Sequence, residues 1–159
     1  GFKNTRAIKE LTLLAELWEM GLPVPKPLAG LVKKRFLFGN CNDILIQRIT
    51  DAQDVFHYLK KQPLNEILWE KIGQVIKRFH DNNVYHADLN IHNILITEQH
   101  DFYLIDFDRC EIRNSGNVGN WKLANLLRLQ RSLEKEAKLH TNFNYQQAHW
   151  EAVLKGYNT

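Results

Sequence analysis

The stretch of residues 85–108, YHADLNIHNILITEQHDFYLIDFD, is the feature that most restricts how this chain can fold. Two short apolar runs, ILI and FYLI, flank the polar run TEQHD, a pattern typical of a β-hairpin. Such a hairpin brings Asn93, just before its first strand, and Asp106, just after its second, to the same end. Asp88 lies five positions before Asn93, with Leu89, Asn90, Ile91 and His92 between them. The sequence therefore predicts that Asp88, Asn93 and Asp106 converge.

The types and spacing of these three residues fit phosphoryl transfer from a nucleotide. The catalytic loop of protein kinases runs Asp, four residues, Asn, and then leads to a second Asp that precedes Phe, as Asp106 precedes Phe107 here. Asp88 is the predicted base that takes the proton of the acceptor hydroxyl. Asn93 and Asp106 are predicted oxygen ligands for the Mg²⁺ that accompanies ATP. Asp and Asn are also ordinary turn residues, so the prediction depends on all these features occurring together.

Composition limits the remaining possibilities. The chain of 159 residues is 44% hydrophobic and 25% charged, which is typical of a globular protein. No apolar run approaches the roughly 20 residues of a membrane span, and the start GFKNTRAIKE lacks the features of a signal peptide. We therefore expect cytoplasmic residence and no nucleic-acid partner. Cys41 and Cys110 have no metal-like spacing and are expected to be reduced packing residues.

The order of predicted elements favours an α+β fold of the protein-kinase type. We expect a partial small lobe over residues 1–49 and a mainly helical catalytic lobe over residues 50–159. Periodicity and breakers predict helices at 4–20, 51–61, 65–82, 121–139 and 145–157, and strands at 28–38, 44–49, 94–96 and 102–105, with a turn at 39–43.

A kinase begins with a glycine-rich loop and a strand whose Lys pairs with a Glu on the following helix. Neither feature precedes Asn4, so the chain is expected to be a fragment that binds nucleotide weakly by itself. Glu10, near the middle of the first predicted helix, is the candidate partner of that Lys. A solvated surface Glu is an equal alternative.

Together with this motif, several longer runs of the sequence resemble a known enzyme family. YHADLNIHNILI, IDFDR, WKLANLLRLQRSLEK from Trp121 and MGLPVPKP after the first helix together resemble the bacterial lipopolysaccharide core kinases of the protein-kinase-like superfamily. The resemblance extends over essentially the whole chain. It implies transfer of the γ-phosphate of ATP, with Mg²⁺, to a hydroxyl of 3-deoxy-D-manno-octulosonic acid on a lipid A precursor. It also implies peripheral placement on the cytoplasmic face of the inner membrane of a Gram-negative bacterium.

The same resemblance implies roles for individual residues. It assigns Asp88 as catalytic base, Asn93 and Asp106 as ligands of metal and nucleotide, and Glu10 as the helix partner of the Lys. Gln47, Arg48 and Ile49 fall where the hinge of the superfamily meets adenine. Hinge recognition uses backbone groups, so the side chains there are weak indicators.

Departures from the protein-kinase pattern disfavour protein substrates. Asp108 replaces the Gly that follows Asp-Phe, Ala87 replaces a common Arg, and the segment 109–120 has no Ala-Pro-Glu. Arg109 and Arg113 follow the hairpin and are the predicted residues that bind an anionic acceptor. The basic residues of the next helix form either part of that site or an ordinary charged surface: Lys122, Arg128 and Arg131.

Two alternatives from other classes remain open at this point. One is another small-molecule kinase of the aminoglycoside phosphotransferase type, and the other is a catalytically inactive kinase-like binding module.

Two histidines lie near the predicted catalytic loop. His86 is expected to form a hydrogen bond to the backbone there, whereas the sequence leaves the role of His92 undecided.

Overall fold

The structure, a computed structural model, describes the backbone of residues 6–35, 39–114, 116 and 119–159, and the side chains of these outside 30–43. It combines helices with small antiparallel sheets, which confirms the α+β class. The elements in chain order are α1 (Arg6–Glu19), β1 (Pro27–Arg35), β2 (Gly39–Ile46), β3 (Ala52–Asp54), α2 (Val55–Lys61), α3 (Glu66–Asp81), β4 (Val84–Tyr85), a 3₁₀ turn (Ile91–Asn93), β5 (Ile94–Thr97), β6 (Phe102–Leu104), β7 (Glu111–Ile112), α4 (Trp121–Leu139) and α5 (Gln147–Tyr157).

The helices agree with the sequence predictions to within a few residues, apart from the start of α2. Asn65 caps α3 by accepting a hydrogen bond from the Leu68 amide at 2.9 Å, which explains why this helix begins at Glu66. The predicted start of the first helix at Asn4 and the predicted strand residues 36–38 lie outside the described residues. The predicted hairpin is confirmed, with Ile94 opposite Leu104 and Ile96 opposite Phe102.

Three boundary predictions are wrong. The predicted turn at 39–43 is part of β2, which begins at Gly39 and pairs with β1, and β2 ends at Ile46 rather than Ile49. The predicted helix 51–61 begins only at Val55, because the Asp54 side chain accepts from the His57 amide at 2.9 Å and caps the helix there. The preceding β3 adds to the hairpin as a third strand, in the order β3, β5, β6.

A proline-containing segment connects α1 to the hairpin. α1 ends at Glu19, and Gly21, two residues later, has a φ of 72°, a conformation that favours glycine. Leu22 and Val24 then enter the core, and the carbonyl of Pro23 accepts a hydrogen bond of 3.0 Å from the Leu104 amide of β6. The MGLPVPKP run therefore holds α1 beside the strand that leads to Asp106.

The core is built around α3. Its buried face contains Trp69, Ile72, Val75, Ile76 and Phe79, and it packs on the inward residues of the hairpin and on α5. Alternation along the hairpin buries Ile94, Ile96, Phe102 and Leu104 and leaves the intervening residues more accessible. The hairpin that connects Asn93 with Asp106 is thus supported by a buried apolar layer.

Two glycines bring α3 and α5 into backbone contact. A Cβ atom on Gly73 would overlap the carbonyl of Val153 and lie 2.7 Å from the Tyr157 nitrogen, and one on Gly156 would overlap the carbonyl of Glu70 and lie 2.7 Å from its Cα. These neighbours are main-chain atoms of helices, which cannot move without shifting the whole helix.

We expect Gly156→Ala to lower the free energy of unfolding by about 3 kcal/mol, because overpacking against backbone cannot be relieved by a rotamer change. Urea denaturation measures this change. Gly119→Ala is the matched control, since a Cβ there has nothing within 4 Å. Equal stability of the two variants would contradict the close contact of α3 with α5.

Candidate active site

The three motif side chains are brought together by backbone pairing. Asp88 lies in the loop after β4, Asn93 ends the 3₁₀ turn, and Asp106 follows β6. The Ile105 amide donates to the Asn93 carbonyl at 3.0 Å, which extends the hairpin ladder by one bond and places Asn93 beside the residue that precedes Asp106. The carboxylate of Asp88 is 48% exposed and Asp106 is also exposed, so both can meet a ligand.

His86 joins the loop of Asp88 to the loop of Asp106. Its Nδ1 accepts from the Asp88 amide at 3.2 Å, so Nε2 carries the hydrogen and donates to the Ile105 carbonyl at 2.9 Å. Burial lowers the pKa of His86, against the opposing effect of the Ile105 carbonyl and the nearby carboxylates. The ring is therefore neutral at neutral pH, as this pair of bonds requires, and the predicted structural role of His86 is confirmed.

Phe107 anchors the loop that carries Asp106. Its ring is buried, 6.0 Å from Phe79 and 5.0 Å from the His86 ring in an edge arrangement. Asp106 itself has a φ of 62°, a left-handed conformation that costs about 1–3 kcal/mol for a residue other than glycine. Packing of the next residue keeps Asp106 in this conformation and turns its carboxylate outward.

One face of α4 holds the catalytic loop. Asn125 accepts from the His86 amide at 3.2 Å and donates to the His86 carbonyl at 3.0 Å. Ser132 accepts from the Ile91 amide at 3.0 Å, and Glu136 contacts the His92 ring at 3.2 Å. These contacts are seven and four positions apart, or two turns and one turn of the helix, so they lie on one face, and Glu136 gives the undecided His92 a structural partner.

Arg128 lies on the same face of α4, between Asn125 and Ser132. Its Nη1 is 3.4 Å from Oδ1 of Asp88. This proximity brings a cation next to the predicted base.

The donor set suits Mg²⁺. Nδ2 of Asn93 donates to the Asp88 carbonyl at 2.9 Å, which fixes the amide and leaves its Oδ1 as a ligand. With the Asp106 carboxylate this gives one neutral and one anionic oxygen, and Mg²⁺ at nucleotide sites commonly takes a few protein oxygens together with phosphates and water. Within the described residues, no group of three His, Cys, Asp or Glu side chains could hold a metal ion.

Glu10 faces Asp106 across a cleft. Both residues line a cavity of about 300 Å³, together with Leu14, Pro25, Ile44, Ile46 and Phe107. Burial, and then the Asp106 carboxylate, raises the pKa of Glu10. A cation placed between these carboxylates would relieve their repulsion, which suits the predicted pairing of Glu10 with a Lys.

Asp108 ties α1 to the same loop. Its two carboxylate oxygens accept from Nε and Nη2 of Arg6 in a bidentate pair, and Asp108 is only 17% exposed. The Asp108 amide also contacts Oδ1 of Asp106 at 3.4 Å. The residue that replaces the kinase Gly therefore fixes the helix of Glu10 beside Asp106.

Arg109 and Arg113 have different surroundings. Arg109 is 75% exposed and 3.5 Å from Asp108, beside a cavity of about 450 Å³ that Arg6, Lys9 and Glu10 also line. The guanidinium of Arg113 lies 3.7 Å from the centre of the Tyr85 ring and pairs with Glu111 at 2.9 Å. Binding of an acceptor by either residue stays a prediction.

The predicted hinge residues follow β2 directly. Gln47 and Arg48 are exposed and Ile49 is partly buried, and the Gln47 amide donates to the Lys26 carbonyl at 2.8 Å. The contact of this segment with adenine stays a prediction.

Cys110 packs as expected. Its Sγ accepts a hydrogen bond from the Ala87 amide at 3.2 Å, and burial raises the pKa of its thiol to about 12. The side chain of Cys41 lies outside the described residues.

Sequence reasoning missed the anchoring roles of Asn125, Ser132 and Glu136, and it included Arg128 only in a general basic set. A signal was present, because polar residues recur at helical spacing on one face of a helix whose apolar residues are also buried. The Arg6–Asp108 pair had no such signal, since 102 positions separate its members.

Comparison with known proteins identifies the family. The Lipopolysaccharide kinase (Kdo/WaaP) family matches residues 1–157, so the chain belongs to this family. A 3-deoxy-D-manno-octulosonic acid kinase of Actinobacillus succinogenes is 42% identical over 158 residues, which cover 98% of this chain and 64% of that protein. The kinase of the same name from Vibrio cholerae is 42% identical over 137 residues, covering 86% and 56%. The chain thus spans less than two thirds of the length of these relatives.

A solved structure supports the fold. WaaP in complex with acyl carrier protein matches with a TM-score of 0.67 at 16% sequence identity, over 96% of this chain and 64% of that one. At this identity the likeness concerns the fold alone.

No helix in the described part of the chain is both long enough and apolar enough to cross a bilayer.

We expect Asp108→Ala and Arg6→Ala each to lower the rate of the predicted phosphotransfer roughly tenfold in the full-length protein, because either change releases α1 from the Asp106 loop. Initial rates measure the effect. The double variant should be no worse than either single one, since both remove the same bond. Additive losses would show that the pair does not act as a unit.

We expect stability to fall with decreasing pH below about 6.5. Burial lowers the pKa of His80 from 6.5 to about 4, so between these values the unfolded chain binds a proton that the folded chain does not. The linked loss is on the order of 3 kcal/mol. Urea denaturation at several pH values measures it, and His80→Gln should flatten the dependence. An unchanged slope in this variant would contradict the assignment.

Proposed function

We propose that the protein is an ATP-dependent kinase that phosphorylates a hydroxyl of 3-deoxy-D-manno-octulosonic acid on a lipid A precursor. The observation that most supports this proposal is the convergence of Asp88, Asn93 and Asp106 through His86 in a chain of this family. The relatives' shared name supports the acceptor. The family match also favours this acceptor over an aminoglycoside, and the retention of all three site residues argues against an inactive binding module.

The reaction we propose is a direct in-line transfer. The acceptor hydroxyl donates its hydrogen bond to the Asp88 carboxylate while its oxygen approaches the γ-phosphorus. A new phosphorus–oxygen bond forms, the bond from the γ-phosphorus to the bridging oxygen breaks, and ADP leaves with that electron pair. The hydroxyl proton passes to Asp88. Asn93 and Asp106 would hold Mg²⁺, which would supply positive charge to neutralise the phosphates.

His86 and α4 position the base in this scheme. The Asp88 amide is held by Nδ1 of His86 and the Asp88 carbonyl by Nδ2 of Asn93, so both ends of the residue are fixed before a substrate arrives. A preorganised base requires no reorganisation at the moment of transfer.

The nucleotide is proposed to lie in the cleft between α1, β2 and Asp106. Residues 1–49 would then belong to the small lobe and residues 50–159 to the large lobe, with Gln47, Arg48 and Ile49 at the hinge and Glu10 paired to a Lys. The separation of the β1–β2 ribbon from the sheet that begins at β3 supports this boundary.

The acceptor is proposed to reach the site at the cytoplasmic face of the inner membrane, with Arg109 and Arg113 near its anionic groups. Leu123 and Leu127, which are 44% and 39% exposed, lie one turn apart on α4 and offer an apolar surface to the membrane. The direct test is transfer of labelled phosphate from ATP to the lipid A precursor in vesicles. Absence of transfer by the full-length protein would overturn the proposed function.

We expect Asp88→Asn in the full-length protein to lower kcat by about 10² to 10⁴, the usual contribution of a general base, and to leave nucleotide binding intact. Asp106→Asn should instead weaken Mg²⁺-dependent nucleotide binding, because it removes the anionic ligand. Steady-state rates and calorimetric nucleotide titrations separate these two effects.

Asp101→Asn is the matched control, since this carboxylate lies in the turn at the opposite end of the hairpin and pairs with Lys71 at 2.9 Å. It should have near-normal kinetics. Normal turnover by Asp88→Asn would remove the role assigned to the base.

A further inference from the structure

The contact between Arg128 and Asp88 has no part in the proposed transfer reaction. Their closest atoms are 3.4 Å apart, and the two side chains are 47% and 48% exposed. A single long contact between half-exposed groups contributes little to stability. A structural ion pair is therefore a poor explanation for a cation held beside the predicted base.

The position of Arg128 is nevertheless well fixed. Asn125, one turn earlier, makes two hydrogen bonds to the His86 backbone, and Ser132, one turn later, accepts from the Ile91 amide. Both anchors attach α4 to the loop that carries Asp88. Arg128 therefore extends from a backbone that cannot shift relative to the base.

The guanidinium has donors to spare. It presents five N–H groups in a planar fork, which matches a carboxylate or phosphate in a bidentate arrangement. The long contact with Asp88 uses one of its nitrogens. A hydroxyl that donates to Asp88 would place any anionic group on the same sugar ring within reach of the others.

Arg128 contacts Asp88 but is separate from the proposed nucleotide cavities. Three cavities are lined by Glu10 together with Asp106, Phe107 or both, and the nucleotide is proposed to bind there. Within the described part of the chain, Arg128 lines none of these three cavities. The same residue disfavours a polycationic acceptor, since a fixed guanidinium beside the base repels ammonium groups.

We propose that Arg128 binds the carboxylate of the sugar-acid acceptor and thereby selects acidic over neutral or cationic sugars. This inference rests on the proposed function and identifies the recognition element of the same site. Asp88 then accepts the hydroxyl proton while Arg128 holds the carboxylate, so that two contacts orient the sugar.

The experiment compares two acceptors with the full-length protein: the lipid A precursor bearing the octulosonic acid, and the same molecule with its carboxylate converted to the methyl ester. Arg128→Gln should raise the KM for the acid at least tenfold, leave the KM for ATP unchanged, and have little effect on the ester. Arg128→Lys, which keeps the charge and loses the fork, should fall between Arg128→Gln and the unaltered protein.

Lys138→Gln is the matched control, because it removes one positive charge from α4 about 15 Å further along the helix axis, and Lys138 is exposed. It should not distinguish the two acceptors. Thermal unfolding of each variant establishes that α4 remains folded.

Three outcomes of the Arg128→Gln substitution would overturn the inference while leaving the proposed function in place. The first is an equal loss of activity on the acid and on the ester, and the second is unchanged kinetics. The third is a rise in the KM for ATP, which would assign Arg128 to the nucleotide phosphate. Absence of transfer to the acid by the unaltered protein would overturn both.

Discussion

The site depends on two hydrogen bonds to one buried imidazole. His86 accepts from the Asp88 amide through Nδ1 and donates to the Ile105 carbonyl through Nε2. These bonds connect the loop of Asp88, the predicted base, with the loop of Asp106, the predicted metal ligand. Only a neutral imidazole has one donor and one acceptor, so burial, which lowers the pKa of His86, is a condition for both bonds. The packing of Phe107 against the same ring extends this connection into the core.

α4 supports the loop of Asp88, a role that a longer segment after Asp106 could otherwise fill. The described residues of the stretch 109–120 form a short pairing of β7 with β4, and α4 then turns back along the catalytic loop. Asn125 and Ser132 bond the loop backbone and Glu136 contacts the His92 ring, which attaches the loop to a helix with a buried apolar face. A rigid element next to the base gives precision that a loop does not. This arrangement suits a small acceptor, which brings few contacts of its own.

The sequence was most informative where local rules determine structure. The hairpin followed from two apolar runs and a polar turn, and it implied that Asn93 and Asp106 meet without any knowledge of the tertiary fold. The turn predicted at 39–43 failed, because pairing with β1 overrode the turn preference of Gly, Asn and Asp. The three residues of β3 are too few to show a periodic pattern. The pairs Arg6–Asp108 and Arg128–Asp88 join residues 102 and 40 positions apart, so only packing could bring them together.

The proline segment after α1 has a consequence for how this protein behaves among its own copies. β6 is the outer strand of its sheet, and an outer strand is a template on which another chain can pair and begin to aggregate. The carbonyl of Pro23 occupies the Leu104 amide on that edge. Pro23, Pro25 and Pro27 have no amide hydrogen, so the covering segment cannot extend the ladder outward in its turn. The segment that fixes α1 therefore also occupies the β6 edge, where another chain could otherwise pair.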